Sequence, residues 1–139
     1  MSTSSLKTRN RILWTAQILV ALLFLFAGAM KFIMPADKMQ QGPIIFSITF
    51  LHFIGICEIL GGLGLILPGL THVRTALTPL AAAGLTIIMI GATTVSILSA
   101  GIVGGIVPAV VGVITTYIAY NRARVVPLTE SPRRVLRAA

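Results

Sequence analysis

The feature that most constrains this chain is a set of very long stretches without a single Asp, Glu, Lys or Arg. They run from Ile12 to Met30, from Met39 to Cys57 and from Thr75 to Asn121. A helix needs roughly 20 apolar residues to cross the hydrocarbon core of a bilayer. Only 10% of the 139 residues are charged and 56% are hydrophobic, against about 25% charged in an ordinary soluble domain. The expected fold class is therefore all-α, a polytopic four-transmembrane-helix bundle with no room for a soluble domain.

Breaker residues divide the runs into four spans. The first covers about 12–34 and stops at Met34-Pro35-Ala36-Asp37; a polar, turn-rich segment follows, with room for a short interfacial turn. The second covers about 46–67, and Pro68-Gly69 opens a loop holding His72 and Arg74. The last uncharged run is too long for one crossing and divides at Ser99-Ala100-Gly101, giving spans of about 77–98 and 102–120. Pro108 is expected to kink the fourth span, which bundles tolerate when neighbours satisfy the freed carbonyl. Residues 1–121 thus form a single transmembrane domain, and 122–139 a basic tail in which Ser131-Pro132 reads as a helix start.

The formal charge of +8 does not point to nucleic acid, because the cations sit at the ends of apolar runs and in the tail. With four spans, Lys7, Arg9, Arg11, Arg74, Arg122, Arg124, Arg133, Arg134 and Arg137 share one side, and only Lys31 and Lys38 face the other. The positive-inside rule then puts both termini in the cytoplasm of a multi-pass cell-membrane protein, expected in a bacterial cytoplasmic membrane. The basic termini would also meet anionic lipid. The first apolar run is preceded by cations and ends in Ala27-Gly28-Ala29, like a signal peptide. It exceeds the usual ~7–15-residue h-region and reads as a retained first helix.

Few residues can carry chemistry. The single cysteine, Cys57, excludes an intramolecular disulfide and a CxxC relay. No phosphate loop, dinucleotide fingerprint, HExxH or nucleophile motif is present, and no metal site is expected, since His52 and His72 fall at opposite ends of one span. Glu58 stands out. It lies midway along the second span, where insertion scales charge roughly 2.5–3.5 kcal/mol for an acidic residue. Its helical face carries Leu51, Ile54, Gly55, Gly61, Gly62 and Leu65, and small residues permit close helix approach. Glu58 should therefore face the bundle interior. Burial opposes ionisation, so an unpaired Glu58 would stay protonated and donate a hydrogen bond.

Lys31 is the natural partner, with Gln17, Val20, Phe24, Ala27 and Gly28 on its face. Counting from the helix ends gives an axial offset of about 10–13 Å, so a direct bridge needs helix tilt, or a water or ligand between the two. His52, Thr93 and Ser96 could join Lys31 in a polar cluster in the outer half of the membrane. The alternatives for these groups are snorkelling of Lys31 and interhelical packing by Thr and Ser.

The segments FAGAMKFIMP, GICEILGGLGLILP and MIGATTVS together resemble the DoxX-like family of small four-helix membrane proteins. In that family the first helix ends AG-x-x-KF-x-x-P, the second carries G-x-x-E-x-x-G-G-x-G-L-x-x-P and the third M-x-x-A. The histidine that many members have after the third pattern is replaced here by Ser96. The resemblance implies a link to membrane-associated redox systems, including quinone-coupled sulfur oxidation, or an accessory or chaperone-like role. It also implies that Lys31 and Glu58 form one site. The leading expectation is a non-catalytic or accessory subunit that binds a lipophilic small molecule or a membrane partner (a membrane protein complex or a second copy of itself), in its sharpest form a quinone or lipid beside Glu58. The alternatives are a membrane enzyme using Glu58 as general acid or base and a purely structural assembly subunit.

Overall fold

Once a chain of this composition is helical, its packing is governed by where small residues let backbones meet. The computed structural model describes residues 3–129, and the tail elements expected beyond Thr129 lie outside the described residues. Helix α1 (Thr3–Ile33) leads to a single turn, α2 (Ala36–Met39), then to α3 (Ile48–Thr71) and α4 (Leu77–Tyr120), which closes in a π-turn (Asn121–Val125). No strand occurs among the described residues. Three helices are long and apolar enough to cross a membrane.

Helix α1 starts well before the apolar run, so Lys7, Arg9 and Arg11 are helical. Its 31 residues reach about 46 Å, beyond the ~30 Å hydrocarbon core, which leaves the basic end free to project into water. Helix α3 begins at Ser47, whose hydroxyl accepts the Phe50 N–H at 3.2 Å, and ends at His72 in the left-handed conformation. Pro68 does not start a loop. The helix runs through it to Thr71, because proline removes one N–H and the rest of the ladder continues.

Helix α4 would span about 66 Å if straight. It instead doubles back at Gly101, where φ is 71° and ψ −175°, a region open essentially to glycine alone. The Thr86 hydroxyl donates to that of Thr115 at 2.9 Å, and a Cβ on Gly112 would meet Met89. Residues so distant in sequence meet only if the two limbs of α4 lie antiparallel. Pro108 sits inside the second limb without interrupting it, so Gly101, not the proline, makes the turn.

The tightest interface joins α1 to α3. A Cβ on Gly28 would lie 2.7 Å from the Gly55 carbonyl oxygen, and one on Gly55 would lie 3.2 Å from Lys31 Cβ. Gly61 and Gly64 face the other way, against Leu85 and Ala81 of α4. Around these contacts the buried core gathers Leu13, Val20, Ala21, Phe24, Leu65, Leu85 and Ile118. The exterior is as apolar as the interior, with Phe26, Ile87, Ile102 and Val103 all strongly exposed. Gln17, Thr78, Thr115 and Arg122 are buried instead. That inversion suits a hydrocarbon solvent, where exposed aliphatic side chains carry no penalty.

The bend predicts a sharp difference between two glycines of α4. Gly101→Ala should lower stability by about 1–3 kcal/mol. Gly84→Ala, whose Cβ would meet nothing, should be neutral or stabilise by up to ~1 kcal/mol. Unfolding of the detergent-solubilised protein compares them, and equal effects would contradict the bend.

Candidate functional site

Glu58 sits at the middle of α3, and the glycines around it bring α1 close enough for Lys31 to reach it. Lys31 Nζ donates to Glu58 Oε2 at 2.7 Å. Glu58 is 4% exposed, while a quarter of the Lys31 side chain remains accessible. The offset expected from the sequence assumed that the helix ends are level. They are not: Lys31 is level with Gly55, a single turn from Glu58, and the lysine stem spans the rest. The pair is a charge-assisted hydrogen bond of the short, strong kind. Intramembrane charges are tolerated when they pair in this way inside a bundle. Lys31 supplies the proton, so Glu58 accepts here and does not donate.

Both residues line a cavity of about 440 Å³ between α3 and the first limb of α4. Its remaining wall is apolar, including Phe46, Phe50, Ile54 and Ile88, with Gly91 and Ala92 leaving the space open. Lys31 also borders a second cavity of about 330 Å³ toward α2, beside Lys38 and three methionines. The ammonium thus stands between an apolar chamber and the end of the bundle near α2.

The other residues singled out by sequence are placed separately. His52 stacks on Phe32, with ring centroids 4.8 Å apart and planes within 14°. Thr93 donates to the Met89 carbonyl at 2.7 Å and faces a cavity of about 610 Å³ between the limbs of α4. That cavity holds hydroxyls and no ionisable group other than tyrosine. Ser96 lies near the bend, where its carbonyl would meet a Cβ on Gly104. The structure brings together Lys31 and Glu58, sets His52 next to the neighbouring Phe32, and directs Thr93 elsewhere. No group of three or more His, Cys, Asp or Glu that could hold a metal occurs among the described residues.

Sequence reasoning missed a second polar cluster at the opposite end of α1. Arg122 Nε donates to Gln17 Oε1 at 2.6 Å and Arg122 Nη1 to Asn10 Oδ1 at 2.7 Å. Gln17 Nε2 donates in turn to the Leu65 carbonyl at 2.6 Å. Gln17 was a visible signal, a lone amide inside an apolar run. Arg122 gave none, because at the end of a span it reads as one more orienting cation.

A helical exterior fit for lipid, wrapped around a buried ion pair, defines an integral membrane protein of the small helical type. The chain belongs to the DoxX-like family, whose pattern matches residues 15–118. That stretch contains Lys31, Glu58 and both limbs of α4 as far as Ile118. No curated protein and no solved structure matches the chain.

The geometry makes the two halves of the pair unequal. Lys31→Met strands a carboxyl that cannot reach water, and should cost about 3 kcal/mol. Glu58→Leu should cost less, because the partly exposed lysine can turn toward the headgroups. The double variant should recover most of the Lys31→Met loss. Thermal unfolding in one detergent tests this ranking, and additive single effects would show that the pair is not coupled.

Proposed function

We propose that the protein crosses the membrane four times, as α1, α3 and the two limbs of α4, with both termini cytoplasmic. Within that frame the chamber beside Lys31 and Glu58 binds a lipophilic small molecule with a polar head, such as a quinone or a lipid. The protein then serves as a ligand-holding accessory subunit of a membrane-associated redox system. One observation carries the reading: a chamber of about 440 Å³, otherwise apolar, has the Lys31–Glu58 pair in its wall. Small-molecule sites are typically ~300–1,000 Å³, mostly apolar, with a few fixed polar groups.

The chemistry follows from the donor count. An ammonium has three N–H donors and no acceptor, and Glu58 takes one of those of Lys31. A remaining donor is available to a ligand carbonyl or phosphate oxygen, while Glu58 holds the ammonium in position. Phe46 and Phe50 offer ring faces to a flat or hydrocarbon body. Lys31 and Glu58 are the binding residues of this reading.

Native mass spectrometry of the protein extracted with its own lipids tests the proposal. Wild type should retain a quinone or lipid, Lys31→Met should hold it at least about tenfold more weakly, and Ala92→Phe, which fills the chamber, should lose it. Retention unchanged in Ala92→Phe, or no ligand on wild type, would sink the reading.

A further inference from the structure

At the other end of the bundle, Arg122 is 2% exposed and has no carboxylate partner among the described residues. Its acceptors are all neutral: Gln17 Oε1, Asn10 Oδ1 and, at 3.2 Å, the Val126 carbonyl. Its Nη2 is buried with no partner among the described residues. Of the chain's three acidic residues, Glu58 is held by Lys31, Asp37 lies on α2 at the far end, and Glu130 falls outside the described residues. A buried charge without a counter-charge is costly, and proteins ordinarily pair it.

The geometry points to an anion site at Arg122 that takes a phosphate-class group, carried by a membrane phospholipid or free in solution. The guanidinium is already fixed for this. Gln17 is anchored by its own bond to the Leu65 carbonyl, and the Trp14 ring lies under the guanidinium carbon at 5.6 Å. Nε is committed to Gln17 and the two Nη1 protons to Asn10 and, by the longest bond, Val126; exchange of the Val126 bond turns the Nη1–Nη2 edge into a two-pronged donor of the kind that fits phosphate oxygens.

That edge is covered by the chain itself. Beyond the π-turn, residues 126–129 form a short strap. The Val126 carbonyl takes the longest of the Arg122 bonds, Leu128 packs near Gly69 and Trp14, and the Thr129 carbonyl lies 3.1 Å from His72 Nδ1. An incoming phosphate replaces the Val126 carbonyl on Nη1 and satisfies Nη2, so the strap must lift as the anion binds. The exposed Arg11, Arg74 and Arg124 belong to the same end and raise the local anion concentration. Basic pockets between helices at a membrane surface are suited to acidic headgroups. The site is independent of the chamber beside Glu58. Gln17 falls within the family match, while Asn10, Trp14 and Arg122 lie outside it.

Trp14 is the chain's single tryptophan, so its fluorescence reports on this site directly. The full-length protein, in phosphate-free detergent at high salt to screen exposed charges, is titrated with short-chain phosphatidylglycerol, short-chain phosphatidylcholine and inorganic phosphate. A saturable change is expected. Saturation by inorganic phosphate identifies a free ion, and saturation by lipid alone identifies a headgroup. Arg122→Gln should weaken binding by about tenfold or more, and an Arg74→Gln/Arg124→Gln double variant should bind like wild type. If Arg122→Gln does not fold, Arg122→Lys decides, since it keeps the charge and loses the two-pronged edge. The proposal is overturned by no saturable change with any of the three, by equal losses in Arg122→Gln and the double variant, or by Arg122→Lys binding like wild type. It is also overturned if binding appears only after Glu130→Gln, which would make Glu130 the native counter-ion.

Discussion

The close approach of α1 and α3 at Gly28 and Gly55 sets the position of almost everything else. With lipid outside, no hydrophobic force drives helices together, so association depends on packing and on buried polar bonds. A side chain at either glycine would strike backbone or Lys31, and the helices would have to move apart. Lys31 would then no longer be level with Gly55, and the 2.7 Å contact with Glu58 would open. The cost of a mid-helix carboxylate is thus offset by a contact that only small residues elsewhere on the same face permit.

The polar groups divide into two clusters at the two ends of α1. Toward α2, Lys31 and Glu58 form a pair of opposite charges beside an apolar chamber. Toward the chain ends, Arg122, Gln17 and Asn10 tie the π-turn that follows the second α4 limb to α1, and Gln17 extends the link to α3 through Leu65. The first cluster is charge-balanced and, among the described residues, the second is not. The middle of the bundle is tied more lightly, by the Thr86–Thr115 bond between the limbs of α4.

Much of this was legible in the sequence because lipid imposes simple rules. Charge-free runs give the helices, and a lone carboxylate with glycines on its face gives an inward-pointing Glu58. The glycine in Ser99-Ala100-Gly101 gives the bend. Other features were not legible. Pro68 reads as an exit signal, yet the helix continues, because losing one N–H does not end a ladder whose neighbours remain bonded. The Lys31–Glu58 distance was overestimated because counting from helix ends presumes level ends, and helix stagger is decided by packing. Thr93 shares a polar-looking stripe with Ser96, but its face turns toward the other limb of α4.

By itself the sequence determined that this chain is helical, apolar outside, basic at its ends and burdened with one intramembrane carboxylate. Each of these follows from composition and spacing along a single helix, and each is local. Only the tertiary structure decided that Lys31 meets Glu58, that their shared wall faces a chamber, and that Arg122 is buried against Gln17 across 105 residues. Those outcomes depend on the stagger and separation of helices, which arise from contacts between segments distant in sequence.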